Sequence, residues 1–409
     1  MARITPSEAL QRVSSAQQQG MRLVASKTSK KTVITEYVRD VDNNVYLFRK
    51  GKEGLILPSD DAVMPILGES EQADFSVELP AHVEEFFRGY ANEIANIDNV
   101  LVIDDDVPEE VAAATPRKDV PYLVKTAWGQ GEPYNDKLDF GKGKCKVGCA
   151  AVMLSQILHY WGTKGYHRGC TATPRYQWNG YPLVAATDAL TKFDYANLTT
   201  GKPKTAEQIE AVSEMLARVG FALKLRYGLN ATAGSTTTIA QLAKQRLRLG
   251  KGMKLITAFD LTNAGFEEAI YQELIQGCPV GFVSNVYSNG KYAGGHAFVC
   301  DGYRAKDNKF HLNFGWERNY DGYYALSAID LTKTYNMNNG HGAYVGIRPD
   351  YKLGDANRDG NVNITDAMVA INHGLKGTYD EAADVNGDGK VTVADSTPII
   401  NHILGKERL

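Results

Sequence analysis

Val147-Gly148-Cys149-Ala150-Ala151 runs directly into Val152, Leu154, Ile157 and Leu158, apolar positions that recur with a period near 3.6 before Gly162. That spacing predicts a helix over Gly148–Tyr160 with a cysteine in its first turn. Outward from it, Ala206–Val219 and Phe266–Gln276 read as further amphipathic helices. From Pro279 the pattern changes to strands: Val280–Val283, Ala297–Cys300, Lys309–Asn313 and Gly322–Leu326. A helical half followed by an antiparallel half, within residues 121–348, is an α+β arrangement.

The flanks differ from this centre. Upstream, Ser7–Gln19 and Val83–Ile97 read as helices, and Thr32–Val38, Val45–Phe48 and Gly54–Leu57 as strands. Between Ile103 and Val120 the periodicity breaks into an acidic and then a basic run, an exposed linker of the kind proteases nick. Three segments are therefore expected, 1–115, 116–349 and 350–409, in keeping with 409 residues and domains of about 150. A formal charge of −3 gives no electrostatic reason for nucleic-acid binding, and no apolar run reaches the ~18 residues that a membrane span needs. The N-terminus lacks an apolar signal core, so the chain is either cytoplasmic or has lost its leader. Five cysteines in 409 residues are too sparse for a disulfide framework, and the odd count leaves at least one thiol unpaired.

The last segment carries an internal repeat. Asp355-Ala356-Asn357-Arg358-Asp359-Gly360 returns 29 residues later as Asp384-Val385-Asn386-Gly387-Asp388-Gly389, and each copy leads into an apolar helix. Oxygen ligands at loop positions one, three and five, Gly at six and a carboxylate at twelve suit Ca²⁺, which takes six to eight hard oxygens on a flexible loop. The expected ligands are Asp355, Asn357, Asp359 and Asp366 in the first loop, with Asn361 through its carbonyl and Asn363 as a side-chain or water contact. In the second they are Asp384, Asn386, Asp388 and Asp395, with Lys390 and Thr392 in the minor positions. A tandem of this kind, about 60 residues long at a C-terminus, resembles the dockerin family of adhesion modules. The resemblance implies two Ca²⁺ ions and a cohesin-like partner, met through residues just before position twelve, here Ile364-Thr365 and Val393-Ala394. The same module could instead serve only to stabilise the C-terminus.

Cys149 is singled out by its context. At a helix N-terminus the macrodipole and the free N–H groups favour the thiolate, the reactive form of cysteine. A nucleophilic thiolate also needs a partner that takes and returns a proton near neutral pH, and histidine does so. Of eight histidines His296 fits best: it follows Gly294-Gly295, which let another chain approach, and it opens an apolar strand. His82, His311, His373 and His402 read as structural, and His159 lies too far along the cysteine's own helix. By pattern alone, a buried thiol and a turn histidine are the simpler account of the pair.

At these residues a resemblance enters. Trp128-Gly129-Gln130-Gly131-Glu132-Pro133-Tyr134-Asn135, Val147-Gly148-Cys149-Ala150-Ala151 and Gln156-Ile157-Leu158-His159-Tyr160 resemble the streptopain family of papain-like cysteine proteases. Gly294-Gly295-His296-Ala297-Phe298-Val299-Cys300-Asp301-Gly302, His311-Leu312-Asn313-Phe314-Gly315-Trp316 and Asp321-Gly322-Tyr323-Tyr324 continue it in order. Upstream, Gly54–Asp61 and Pro65–Ser70 resemble that family's inhibitory propeptide. The resemblance implies a papain-like fold of a helical and a β lobe, and a secreted bacterial endopeptidase made as a zymogen, with protein or peptide substrates and no catalytic cofactor. Cys149 is then the nucleophile and His296 the general base and acid. Gln130 joins the Cys149 N–H as an oxyanion donor, and Asn313 or the neighbouring aromatics, Trp316 among them, orient and shield the imidazole. Ala233-Gly234-Ser235 and Gly295 are expected to border the substrate, and Thr115-Pro116-Arg117-Lys118-Asp119 to be cut on maturation. Two departures stand out: the family commonly has Trp where Phe314 stands, and Glu317-Arg318-Asn319 replaces a Gly-rich stretch. Two other readings use the same residues, a Cys-His transglutaminase or cell-wall amidase, and a catalytically silent adhesion scaffold.

Overall fold

The computed structural model describes all residues except 1–2, 21–34, 98–115, 168, 188–190, 251, 259, 262, 289–290, 329–339, 350, 358–360 and 408. In chain order the elements are α1 (Pro6–Gly20), β1 (Thr35–Val41), β2 (Val45–Lys50), β3 (Glu53–Pro58), β4 (Gly68–Ser70) and α2 (Ala81–Ala95). Then come α3 (Cys149–Thr163), β5 (Gly169–Cys170), β6 (Thr191–Lys192), α4 (Ala206–Ala222), α5 (Thr236–Arg246), β7 (Lys254–Thr257) and α6 (Asn263–Ile275). The chain continues through β8 (Val280–Ser288), β9 (Lys291–Arg304), β10 (Lys309–Asn313), β11 (Gly322–Tyr324) and β12 (Gly340–Val345) to α7 (Ile364–Lys376) and α8 (Ser396–Ile403). The α+β class expected from the sequence is the one observed. By packing, the chain divides into two compact units, residues 1–123 with 255–345, and residues 124–254 with 346–409.

The first unit is built on one ten-stranded sheet of order β1-β2-β3-β4-β11-β10-β9-β8-β12-β7. Strands from the first hundred residues thus continue the sheet formed by strands from the second half of the chain. The join is β4 against β11, antiparallel, with Gly68 opposite Tyr324 and Gly322 opposite Ser70. A β-carbon on Gly68 would stand 2.3 Å from the Tyr324 ring, so this strand meets its neighbour only as glycine. Helix α2 buries Val83, Phe86, Phe87, Tyr90 and Ile94. Phe86 stands edge-on to Phe298 and Phe314, so the N-terminal segment and the later strands share one hydrophobic core. The Glu93 carboxylate, buried on the same helix, accepts from Ser327 Oγ and the Ala328 N–H. Of the expected cleavage stretch, Thr115 lies outside the described residues. Arg117 pairs with Glu268 at 2.8 Å and bonds Asn308, and the Lys118 N–H donates to the Tyr271 phenol oxygen at 2.8 Å. These two residues are held by side chains rather than free as a linker.

The second unit holds α3, buried along its length from Ala150 to Gly162, with α4 packed beside it. A capping box at Thr205 and Gln208 starts α4 where the polar run Lys202-Pro203-Lys204 gives way to apolar periodicity. Helix α5 was not expected from the sequence: Thr236-Thr237-Thr238 has little helix propensity, and its burial of Ile239, Ala240 and Ala243 carries it instead. The same unit contains α7 and α8, packed against each other around Ala367, Ala370, Val385 and Ile399.

Candidate active site

The thiol and the imidazole singled out above lie in different units, and each is built by different means. Cys149 is the first residue of α3. Gly148 before it has φ +93°, and a β-carbon there would stand 2.8 Å from Thr232 Cγ2, so only glycine makes this entry into the helix. Ala151 and Val152 donate to the Gly148 carbonyl, which starts the helix, and the Cys149 side chain sits in the first turn, half-exposed. Cys145, Cys170, Cys278 and Cys300 are buried, and all five cysteines are thiols. Burial pushes Cys170 up to about 12 and Cys300 well above the usual thiol range, which keeps both protonated and inert.

Gln130 lies in the same unit, its carbonyl accepting from the Val147 N–H at 3.1 Å. The segment is tied down from behind, since the Trp128 N–H donates to Gln156 Oε1 of α3 and Trp128 Nε1 to the Thr199 carbonyl. On the other side, Lys146 N–H donates to the Gly228 carbonyl and Thr232 Oγ to the Lys146 carbonyl at 2.7 Å. The loop that runs on to Ala233, Gly234 and Ser235 is therefore bonded to the residues leading into Cys149. Ala233 pairs with Arg226, and the Ser235 carbonyl receives the first amides of α5.

In the first unit His296 sits in β9 opposite Ser284 of β8, with Gly295 beside it opposite Asn285. The ring is buried, and burial lowers its pKa to about 4. Nε2 donates to the Phe314 carbonyl at 3.1 Å. Asn313 turns Oδ1 onto the Gly315 N–H at 3.0 Å. It therefore steadies the peptide group whose carbonyl receives the imidazole. Trp316 packs at the edge of the core, and its ring meets that of His82 edge-on at 4.8 Å.

His82, expected to be structural, stacks on His296 with ring centroids 3.6 Å apart and planes 22° from parallel. It lies in the first turn of α2 in the N-terminal segment, and its buried Nε2 has no hydrogen-bond partner among the described residues. Burial, and then the neighbouring His296, push its pKa far below the usual imidazole range, so two uncharged rings lie face to face. No local sequence signal marks His82, because the contact spans 214 positions. The departure at Glu317-Arg318-Asn319 also finds its physical reason. Glu317, Arg318 and Tyr320 have φ of +55°, +66° and +69°, the left-handed conformation that glycine adopts without cost.

In the C-terminal module Asp355, Asp366, Asp384 and Asp395 are buried carboxylates. Their oxygens are met by backbone N–H groups: Asp366 by Asn357 and Asn363, Asp395 by Asn386 and Thr392, and Asp384 by Asp388 and Gly389. Asn386 Oδ1 accepts from the Asp388 N–H and Asp388 Oδ1 from the Lys390 N–H, while Asn361 lies in the first loop and Asp359 falls outside the described residues. Among the described residues, no three His, Cys, Asp or Glu side chains are gathered into a metal cluster. The donors are nonetheless all hard oxygens, and buried carboxylate charge in each loop calls for a cation.

Residues 128–324 match the Peptidase C10 family, and residues 353–404 the dockerin type I domain. The chain is 24% identical over 337 residues to streptopain of Streptococcus pyogenes, covering 75% of this chain and 81% of that protein. It is likewise 24% identical over 320 residues to the thiol protease/hemagglutinin PrtT of Porphyromonas gingivalis, covering 70% of this chain and 34% of that one. Among solved structures, a fragment of Prevotella intermedia prointerpain A matches with a TM-score of 0.63 at 24% identity, over 78% of this chain and 99% of that one. Among the described residues, no helix is long and apolar enough to cross a membrane.

Proposed function

We propose that the chain, which matches the Peptidase C10 family over residues 128–324 and the dockerin type I domain over residues 353–404, is a secreted cysteine endopeptidase zymogen acting through Cys149 and His296. The observation that carries the reading is the placing of Cys149: one half-exposed thiol at the start of a buried helix, beside four buried cysteines. His296 takes the thiol proton, and the Cys149 thiolate attacks the scissile carbonyl. The oxyanion is held by the Cys149 N–H and the Gln130 side-chain amide, each donor worth roughly 3 kcal/mol. His296 then protonates the departing amine, and water, deprotonated by His296, hydrolyses the thioester. Asn313 and Trp316 support the imidazole, and Ala233, Gly234, Ser235 and Gly295 border the bound peptide.

Latency follows from two features of the first unit. The N-terminal strands extend the sheet that bears His296, and His82 covers the face of its ring. Cleavage in the linker ahead of Arg117 releases this cover. In the C-terminal module Asp355, Asn357, Asp359, Asn361 and Asp366 hold one Ca²⁺, and Asp384, Asn386, Asp388, Lys390 through its carbonyl and Asp395 hold a second. Ile364 and Val393, 59% and 54% exposed, lie in the face offered to a cohesin-like partner.

The test is labelling by an irreversible epoxide inhibitor of thiol proteases, with the modified residue mapped by mass spectrometry. Labelling of Cys149 in the linker-cleaved chain, weak in the uncut chain and lost in His296→Ala, is the expected result. No labelling after cleavage would leave the scaffold reading. Labelling with acyl transfer to amines but no proteolysis would favour the transglutaminase.

A further inference from the structure

Asp321 is a buried carboxyl group, 7% exposed, next to the imidazole's acceptor, and the reaction above assigns it no part. We propose that Asp321 is a positioning residue for His296, acting through the main chain of Phe314. The inference rests on the reading of His296 as the general base.

Asp321 Oδ1 accepts from the Phe314 N–H at 2.9 Å, and the Phe314 carbonyl accepts from His296 Nε2 at 3.1 Å. Asn313 Oδ1 holds the next amide, Gly315 N–H. The peptide groups on both sides of Phe314 are therefore held by side-chain oxygens, and the Phe314 carbonyl, which belongs to the second of them, is held toward the ring. With Nε2 donating there, Nδ1 carries the lone pair that a general base needs. In papain-like chemistry an acceptor on the far nitrogen must fix both tautomer and ring plane, and here a main-chain carbonyl does so.

A neutral side chain would fill the space at lower cost, since a buried carboxyl must be compensated by its partners. Burial raises the pKa of Asp321 to about 7, and His311 opposes that rise. The groups facing it are His311 of β10, Asp301 of β9, Arg318 of its own loop and, beyond β4, Glu71, whose charge acts on His311. His311 Nδ1 donates to Asp301 at 2.7 Å, and Tyr122 stacks on its ring. The Asp321 carbonyl in turn receives the Ser70 hydroxyl and the Glu71 N–H from the N-terminal segment. One residue thus grips the clamp on His296 with its side chain and the N-terminal segment with its main chain.

The experiment uses the full-length chain after linker cleavage, with active sites counted by the epoxide inhibitor so that misfolded protein is excluded. Asp321→Ala is expected to lower kcat about 30- to 100-fold with KM within about twofold, and to move the acid limb of the pH profile by half a unit or more. Asp321→Asn, which keeps an acceptor for the Phe314 N–H, is expected to recover most of that loss and remain about three- to tenfold below wild type at unchanged KM. A purely structural role predicts fewer titratable sites but wild-type kcat and pH profile per site, and that result overturns the proposal. If Asp321→Ala does not fold, Asp321→Asn decides alone: wild-type kcat and profile per site reject the role, and the graded loss supports it. A wild-type chain in which Cys149 is not labelled overturns the reading of the site and this inference with it. A labelled, active wild type with an indifferent Asp321→Asn overturns only the inference.

Discussion

Cys149 and His296 are made in opposite ways. The thiol's position comes from neighbours in the chain: a glycine at positive φ, a helix beginning at once, and an apolar stripe that buries the helix behind it. The imidazole's position comes from distant residues, Phe314 as its acceptor and His82 as its cover. A nucleophile needs a fixed field at one atom, which a helix N-terminus supplies locally. A base needs one nitrogen bonded and the other free to act, and that takes partners from other strands.

The largest effect expected on the local side is Cys149→Ala, which should lower peptide hydrolysis by at least about 10⁴-fold while circular dichroism and thermal unfolding stay as in wild type. Residual cleavage sensitive to thiol inhibitors would place the nucleophile elsewhere. Next comes Gln130→Ala, expected to cost about 10²- to 10³-fold in kcat with little change in KM if the amide serves the oxyanion. A change confined to KM would make Gln130 a substrate contact instead. Gly148→Ala sharpens the same side through stability. Its β-carbon meets Thr232 in a conformation that L-residues avoid, so a loss of about 2–4 kcal/mol should appear in chemical denaturation.

On the histidine side the test is pH. Burial depresses His296, His159 and His167 to about 4 and His341 to about 3, and it depresses His82 further. The unfolded chain binds these protons near pH 6.5, so it holds more protons than the native state between about 4 and 6.5. Stability is therefore present above 6.5 and lost as pH falls through this window. The thermal midpoint of the uncut chain should drop accordingly, and His82→Phe, which keeps a stacked ring but cannot be charged, should make the drop shallower. An identical pH dependence in that variant would show that His82 contributes nothing to the acid loss of stability. The smallest effect belongs to the loop beyond Phe314: Glu317→Gly relieves a left-handed side chain and should stabilise by up to about 1 kcal/mol.

The helices over 149–163 and 206–222, and the strands around His296, were legible because each carries its own apolar period or turn signal. The paired calcium loops were legible for the same reason, since oxygen donors at fixed spacing are a local pattern. Helix α5 was not, because Thr236–Thr238 speaks against a helix and only burial of the residues after it overrides that. The joining of β4 to β11 was also hidden, since strand pairing across 250 positions leaves no mark in either strand beyond a glycine.

The sequence by itself pointed to cysteine peptidase chemistry and singled out Cys149 as the proposed nucleophile, through short motifs whose residues act on their own neighbours. It also marked out a central region and a C-terminal loop repeat, which match the Peptidase C10 family over residues 128–324 and the dockerin type I domain over residues 353–404. Tertiary structure alone decided what surrounds His296: a carbonyl fixed by Asn313 and Asp321 on one side, and a second histidine on the other. Local motifs set backbone conformation within a few residues, whereas the protonation and orientation of a buried imidazole depend on groups that only the folded sheet brings to it.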